Sequence, residues 1–148
     1  MKYEMDTSIV IRLLMEDPVE MHAAALRFLD AVLAAGDSVF VSDPVISGIY
    51  FALQHHYQVT KRDAIESLRR LLAGGEIQAS GHAEEVLEVE NLVRANPGFV
   101  DRLIHAGAVN SGCQWVTFEK SAAKPPDTLV LKQAHHRVLA GPGGGLIQ

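Results

Sequence analysis

The chain has 148 residues, with 13 Lys and Arg against 18 Asp and Glu, which gives a formal net charge of −5 at pH 7. With that balance the chain as a whole does not attract a polyanion, so contact with a nucleic acid needs a divalent metal ion, a local basic face or the charge of a partner. The single Cys113 excludes an internal disulfide and a cysteine zinc cage. Since the apolar runs fall short of the roughly 18 residues that span a bilayer and the start has no export signal, we expect a cytoplasmic protein without membrane contact.

Helical and strand-like apolar patterns alternate along the chain. The predicted helices cover residues 7–16, 18–35, 44–57, 60–73, 82–95 and 99–109. The predicted strands cover the residues before Asp6 and residues 39–41, 76–80, 115–118 and 128–131. Strands separated by helices imply a parallel sheet with helices on both faces. We therefore predict an α/β three-layer sandwich with a central parallel sheet of four to five strands, one domain over residues 1–132 and a flexible glycine-rich tail over residues 133–148.

Three acids stand close to the ends of predicted elements. Asp6 and Glu119 each follow a predicted strand, and Asp101 opens the helix before the second of these strands. If the two strands are neighbours, the three carboxylates lie at one end of the sheet, where their repulsion requires a cation, and hard oxygen ligands suit Mg²⁺ or Mn²⁺. Each acid alone is better explained as a helix cap or a turn residue, and we interpret Asp43 as such a cap. The residues by themselves predict an α/β domain with a candidate acidic metal site.

Four separated segments, in this order and spacing, carry a resemblance to a known family. They are residues 5–10 with Asp6, residues 45–53, residues 99–104 with Asp101, and residues 115–120, which contain Thr-Phe-Glu. Together they resemble the PIN domain, and most closely the VapC-type ribonuclease toxins of bacterial toxin–antitoxin pairs. The resemblance covers the chain from Met1 to about Lys132. It implies that the first strand lies beside the strand over residues 115–118, as a shared acidic site requires.

The resemblance also implies a metal-dependent endoribonuclease that hydrolyses RNA phosphodiester bonds as the toxin of such a pair. The catalytic residues and ligands of Mg²⁺ or Mn²⁺ would be Asp6, Asp101 and Glu119. The residues expected to support them by hydrogen bonding are Thr7, Ser8 and Thr117. Those expected to contact phosphate are Arg102, Lys120 and Lys124. The implied partners are the RNA substrate, a cognate antitoxin protein and a second copy of the chain in a homodimer.

Two departures from the family pattern bear on activity. Gly48 stands where the family's second motif normally carries Glu, and Glu119 stands where the family usually has Asp. Loss of one carboxylate predicts weaker metal affinity and lower activity than the family norm. The alternative is a catalytically weakened or inactive PIN-like module with an RNA-binding or protein-binding role. A receiver-like phosphoacceptor domain is disfavoured, because the first strand ends in one acid instead of an acidic pair.

Overall fold

The computed structural model describes residues 1–123 and 125–132, and over these residues three pairs of α-helices separate the first four of five short strands. The helices are α1 (Thr7–Leu14), α2 (Val19–Ala34), α3 (Asp43–His55), α4 (Lys61–Ala73), α5 (Ala83–Leu87) and α6 (Phe99–Asn110). The strands are β1 (Lys2–Glu4), β2 (Ser38–Val41), β3 (Ile77–Ala79), β4 (Trp115–Thr117) and β5 (Thr128–Val130). Short 3₁₀ turns lie at Leu92–Arg94 and Lys120–Ala123. Lys124 lies outside the described residues, and so does the predicted flexible tail over residues 133–148. None of the described helices is long and apolar enough to cross a membrane.

The strands form two parallel ladders. β1, β2 and β3 lie side by side in chain order, and Val39 is paired with Tyr3 on one side and with Ile77 on the other. β4 and β5 form the second ladder, with Val116 opposite Leu129. The parallel α/β architecture predicted from the alternation of helices and strands is therefore confirmed.

The pairing of β1 with β4 that the resemblance implied is absent from the ladders of the described residues. β4 is instead held by β5 and α6. The Trp115 N–H donates to the Asp127 carbonyl at 2.8 Å, and the indole ring meets the His105 imidazole with ring centroids 5.6 Å apart. His105 Nε2 also lies 2.6 Å from the Pro126 carbonyl oxygen. These contacts fasten the second ladder to the preceding helix, so its position relative to β1 depends on α6.

The core surrounds the sheet of β1, β2 and β3 and takes buried side chains from all six helices, with α3 and α4 contributing the longest stripes. Val39 and Val41 of β2 are fully buried. The buried stripe of α3 has the spacing of one helix face and consists of Ile46, Ile49, Tyr50 and Leu53. The corresponding stripe of α4 consists of Ala64, Ile65, Leu68 and Leu72. Each large aliphatic side chain buried in this way contributes roughly 1.5–3 kcal/mol, so these two helices are fixed on the sheet mainly by apolar packing.

The prediction of one continuous helix over residues 82–95 is wrong. α5 ends at Leu87, and Asn91 adopts a left-handed backbone conformation with φ of 54° before the first 3₁₀ turn. Leu87 and Leu92 are both buried in the core. Five helical residues rotate the chain by about 140° beyond a full turn, so a continuous helix could not point both side chains inward. Burial of Leu92 therefore favours the break.

Asp43 acts as a helix cap, but for α5 and not for its own helix. Its Oδ1 atom accepts hydrogen bonds from the His82 and Ala83 N–H groups at 2.9 and 3.2 Å, and its Oδ2 atom lies 3.0 Å from the His82 nitrogen. The carboxylate sits so close to the Gly81 backbone that a Cβ built there would lie 2.5 Å from it. The interaction ties the segment after β3 to the first residue of α3, just beyond the end of β2.

Gly81→Ala is expected to lower the free energy of unfolding by about 1–3 kcal/mol, because the new methyl group displaces the Asp43 carboxylate and leaves the capped N–H groups unpaired. Gly74→Ala is the matched control, since nothing lies within 4 Å of its Cβ position and its φ of −71° suits alanine. Urea unfolding of both variants measures the difference. Equal stability of the two would contradict the capping of α5 by Asp43.

Candidate functional site

Asp6 lies at the carboxyl end of β1, where the chain turns from strand to helix. A hydrogen bond from the Met5 N–H to the Phe40 carbonyl at 2.9 Å holds the backbone immediately before it. The Asp6 carboxylate caps α1, because Oδ1 accepts the Thr7 N–H at 2.8 Å and Oδ2 accepts the Ser8 hydroxyl at 3.0 Å. An ionised carboxylate has about four acceptor positions, so this exposed side chain keeps capacity for a cation or another donor.

Asp43 is the second acid that follows a strand of this ladder. Its carboxylate already accepts hydrogen bonds from two backbone N–H groups, and both of its oxygens take part. Amide donors of this kind satisfy carboxylate acceptor positions without a metal. Asp6 accepts two hydrogen bonds and is exposed, whereas Asp43 is half-buried and accepts three, so Asp6 has more acceptor capacity to offer a ligand and Asp43 has a structural role.

The other two predicted ligands belong to the part of the fold built by α6 and β4. Asp101 is half-buried in the first turn of α6. Glu119 follows β4 at an exposed position, where its N–H donates to the Thr117 hydroxyl at 3.1 Å and its Oε2 accepts the Ser121 hydroxyl at 3.4 Å. Thr117 and Ser121 thus fix the turn that carries Glu119.

The predicted ligands have the right chemistry for a divalent cation but not the arrangement of a complete site. Carboxylate oxygens suit Mg²⁺ and Mn²⁺. Within residues 1–123 and 125–132, however, no group of three or more acidic, histidine or cysteine side chains lies close enough together to hold a metal ion. Asp6 and Glu119 follow strands that belong to different ladders. The three carboxylates therefore suit a divalent cation by their chemistry but do not form such a group in this structure.

Gly48 faces the turn that carries Asp6. A Cβ atom built on Gly48 would lie 2.9 Å from the hydroxyl oxygen of Thr7, the first residue of α1. The position at which the family normally has Glu is thus directed toward the candidate site, and in this chain the Thr7 side chain occupies the space beside it. The missing Cβ allows α1 and α3 to approach each other closely.

The basic residues predicted to contact phosphate differ in their exposure and in their hydrogen bonds to the rest of the protein. Arg102 is half-buried, and its Nε–H donates to the Pro97 carbonyl at 2.7 Å, so part of its guanidinium anchors the loop before α6. Lys120 is exposed at the start of the second 3₁₀ turn. Lys124 lies outside the described residues. Of the two described residues, Lys120 is the better placed to reach a phosphate from solvent.

A largely apolar groove of about 490 Å³ runs from Asp6 between α1 and α2. The exposed apolar side chains in its lining are Ile9, Met21 and Phe28. Arg12 also lines it, and its Nη1 donates to the Asp17 carbonyl at 3.0 Å and to the Tyr57 hydroxyl at 3.2 Å. The Arg12 Nε atom is buried without a hydrogen-bond partner among the described residues. The apolar pattern of α1 gives no signal for this arginine, which lies six residues after the capping acid.

Gly48→Ala is expected to raise the free energy of unfolding by about 0.5–1 kcal/mol in a Thr7→Ala background, and by less or not at all in the wild type. Alanine favours a helix over glycine, but the Thr7 hydroxyl resists the new methyl group. Gly107→Ala in α6, where nothing lies within 4 Å of the Cβ position, is the uncrowded control. Urea unfolding of the mutant cycle measures the coupling. Strictly additive effects would contradict the contact between residues 7 and 48.

The comparison with known families agrees with this fold. The family model described as the PIN domain matches residues 3–128, a range that includes Asp6, Gly48, Asp101 and Glu119. No curated protein matches the chain. PIN domains are generally metal-dependent nucleases that act on RNA. Because the match spans most of its length, the chain belongs to the PIN domain family.

Proposed function

We propose that this chain is a metal-dependent endoribonuclease of the VapC type, which acts in the cytoplasm as the toxin of a toxin–antitoxin pair and hydrolyses RNA phosphodiester bonds. The observation that carries the proposal is the Asp6 carboxylate. It is exposed at the carboxyl end of a parallel strand, the edge at which α/β sheets bind ligands, and its two local hydrogen bonds leave acceptor capacity. The family match supports the nuclease class.

Each proposed site residue has a separate role. The proposed catalytic residues and metal ligands are Asp6, Asp101 and Glu119. Mg²⁺ or Mn²⁺ bound there would activate a water molecule and offset charge on the scissile phosphate. The Thr7 N–H and the Ser8 hydroxyl hold the Asp6 carboxylate in one orientation, and the Thr117 hydroxyl holds the turn of Glu119. Because the described residues do not gather the three carboxylates and Gly48 adds none, we expect weaker metal binding than a site of four acids would give.

Local cations must bring the RNA to the site, since the net charge of the chain is −5. The proposed phosphate contacts are Arg102, Lys120 and Lys124. Lys120 has an exposed ammonium group and follows Glu119 directly, so a phosphate held by it would lie close to a proposed ligand. Arg102 follows Asp101 in the same way and has guanidinium N–H groups beyond the one that anchors its loop.

The proposed protein partners are a cognate antitoxin and a second copy of the chain. The groove beside Asp6 supports the antitoxin, because it is largely apolar and exposes Ile9, Met21 and Phe28 next to the proposed site. A segment bound there would cover apolar surface and restrict access to Asp6 at the same time. The homodimer is carried over from the family resemblance.

Asp6→Asn is expected to lower the rate of RNA cleavage by at least about tenfold, the loss found when groups that merely orient metal ligands are removed. Asparagine caps helices as well as aspartate does, so the variant keeps α1 while losing the charge. Asp30→Asn removes an exposed acid of α2 and serves as the matched control. Cleavage of a structured RNA is measured with Mn²⁺ and with Mg²⁺. Equal rates for wild type and Asp6→Asn would remove catalysis from the proposal.

A second candidate function is a PIN-like module that has lost hydrolysis and binds RNA or protein. Two observations favour it. Gly48 replaces one carboxylate of the family's usual set, and no cluster of three candidate metal ligands is present among the described residues. The fold and the exposed surfaces of such a module would be the same, so metal binding is the property that separates the two functions.

Titration calorimetry with Mn²⁺ separates them. The nuclease proposal predicts a binding heat that Asp6→Asn abolishes, because a ligand is lost, whereas a module without metal chemistry shows the same negligible heat for both proteins. Gly48→Glu in a Thr7→Ala background is expected to tighten Mn²⁺ binding and to raise cleavage, since it adds a carboxylate beside the turn of Asp6 without the crowding hydroxyl. Gly48→Gln in the same background is the uncharged control. Equal Mn²⁺ affinity of the Glu and Gln variants would contradict the placement of residue 48 at the site.

A further inference from the structure

One face of α3 is exposed and begins beside the candidate site. The exposed residues of this helix are Pro44, Phe51 and His55. At about 100° per residue they lie within about 40° of one another around the helix axis. Gly48 borders the same face, and its Cβ direction meets Thr7 next to Asp6. From Gly48 to His55 the face extends about 10 Å along the helix.

Phe51 and His55 form a stacked pair on this face. Their ring centroids are 6.2 Å apart and their planes differ by 20°. Tyr50 meets Phe51 edge-on at 5.5 Å from a buried position, and burial raises the pKa of Tyr50, so its phenol stays neutral and packed. Phe51 nevertheless remains 47% exposed. Two neighbours therefore hold an aromatic ring in place while much of its surface faces solvent.

The far end of this face is basic. α3 ends at His55, and after a short connection α4 begins with Lys61 and Arg62, both exposed, so that with the exposed Asp63 that follows them this end keeps one net positive charge. The two helices pack against each other, so the start of α4 lies near the end of α3. In a chain with a net charge of −5, a cationic end beside an aromatic pair is a local exception to the overall field.

We propose that the Phe51–His55 pair is a stacking platform for the bases of single-stranded RNA, with Lys61 and Arg62 binding its phosphates. The proposal rests on the RNA substrate proposed above and specifies how this chain holds it. Aromatic rings stack on any base because every base has a π-face, and nearby cations follow the backbone. A strand that crosses this face passes from the basic end of α3 toward Gly48 and Asp6, which leads it to the candidate site.

A second copy of the chain fits this face less well than RNA does. Stable protein interfaces bury about 800 Å² per partner around an apolar centre. The residues beside the stacked pair are mostly polar and include Ser47, Gln54 and His56. A pair of flat rings in a polar surround offers the geometry of base stacking and too little apolar area for stable association.

Phe51→Leu and Phe51→Tyr form the decisive pair of variants. Fluorescence anisotropy of a short labelled single-stranded RNA is measured in EDTA, so that binding is read without cleavage. Leucine keeps the apolar volume but removes the π-face, and we expect the affinity to fall roughly 5- to 150-fold. Tyrosine keeps the face, and its affinity is expected to stay within about twofold of the wild type. Lys61→Gln with Arg62→Gln is expected to weaken binding and to flatten its salt dependence.

Two controls accompany these variants. Val109→Ala removes an exposed apolar side chain from α6 and is expected to leave RNA binding unchanged. A duplex of the same sequence, whose bases are already stacked internally, is expected to bind more weakly than the single strand. Circular dichroism and thermal unfolding of each variant verify that the surface substitutions leave the fold intact.

The outcomes separate this inference from the proposed function. Equal affinity of the wild type and Phe51→Leu, an equal loss in the Leu and Tyr variants, or no binding by the wild type would overturn the platform. A change in oligomeric state without a change in RNA affinity, read by sedimentation, would assign the face to a second copy and overturn it as well. RNA binding that depends on Phe51 in a protein that cleaves nothing would sustain the platform while the nuclease proposal fails.

Discussion

Two carboxylates at one edge of a parallel sheet constrain the structure around them. Asp6 and Asp43 follow the neighbouring strands β1 and β2, and the oxygens of each carboxylate need hydrogen-bond donors or a cation. The chain compensates Asp43 with N–H groups at the start of α5, which fixes the segment after β3 against the end of β2. Asp6 receives one N–H and one hydroxyl from its own turn and stays exposed. A single edge thus combines a structural carboxylate with one that can serve a ligand.

Features set by near neighbours in the chain could be predicted from the sequence. Thr60 caps α4 by accepting the Asp63 N–H at 3.1 Å, and the apolar stripes of α3 and α4 are buried as their spacing indicates. Strand Ile77–Ala79 lies inside the segment predicted as a strand. Caps and stripes depend on residues three or four positions apart, so the local pattern contains the whole interaction.

Features set by distant partners could not be predicted in this way. Asp43 meets His82 across 39 residues, and its local pattern is that of a cap for its own helix. The break after α5 depends on the burial of Leu92 in the core, and a short segment of sequence does not reveal that burial. The same limit applies to the site. The sequence indicates that Asp6 and Glu119 follow strands, but whether those strands pair is decided by β5 and α6, so the gathering of the metal ligands stays a proposal.

Gly48 links packing and chemistry where α1 meets α3. A glycine inside a helix costs about 0.5–1 kcal/mol relative to alanine, so the position calls for a compensating interaction. That interaction is the close approach of Thr7, whose hydroxyl stands 2.9 Å from the place of a Cβ atom. A carboxylate side chain at residue 48 would have to displace this hydroxyl to reach the Asp6 turn. The contact between Thr7 and Gly48 therefore competes for space with any carboxylate side chain at residue 48. A cation at Asp6 would then depend on ligands that follow from α6 and β4.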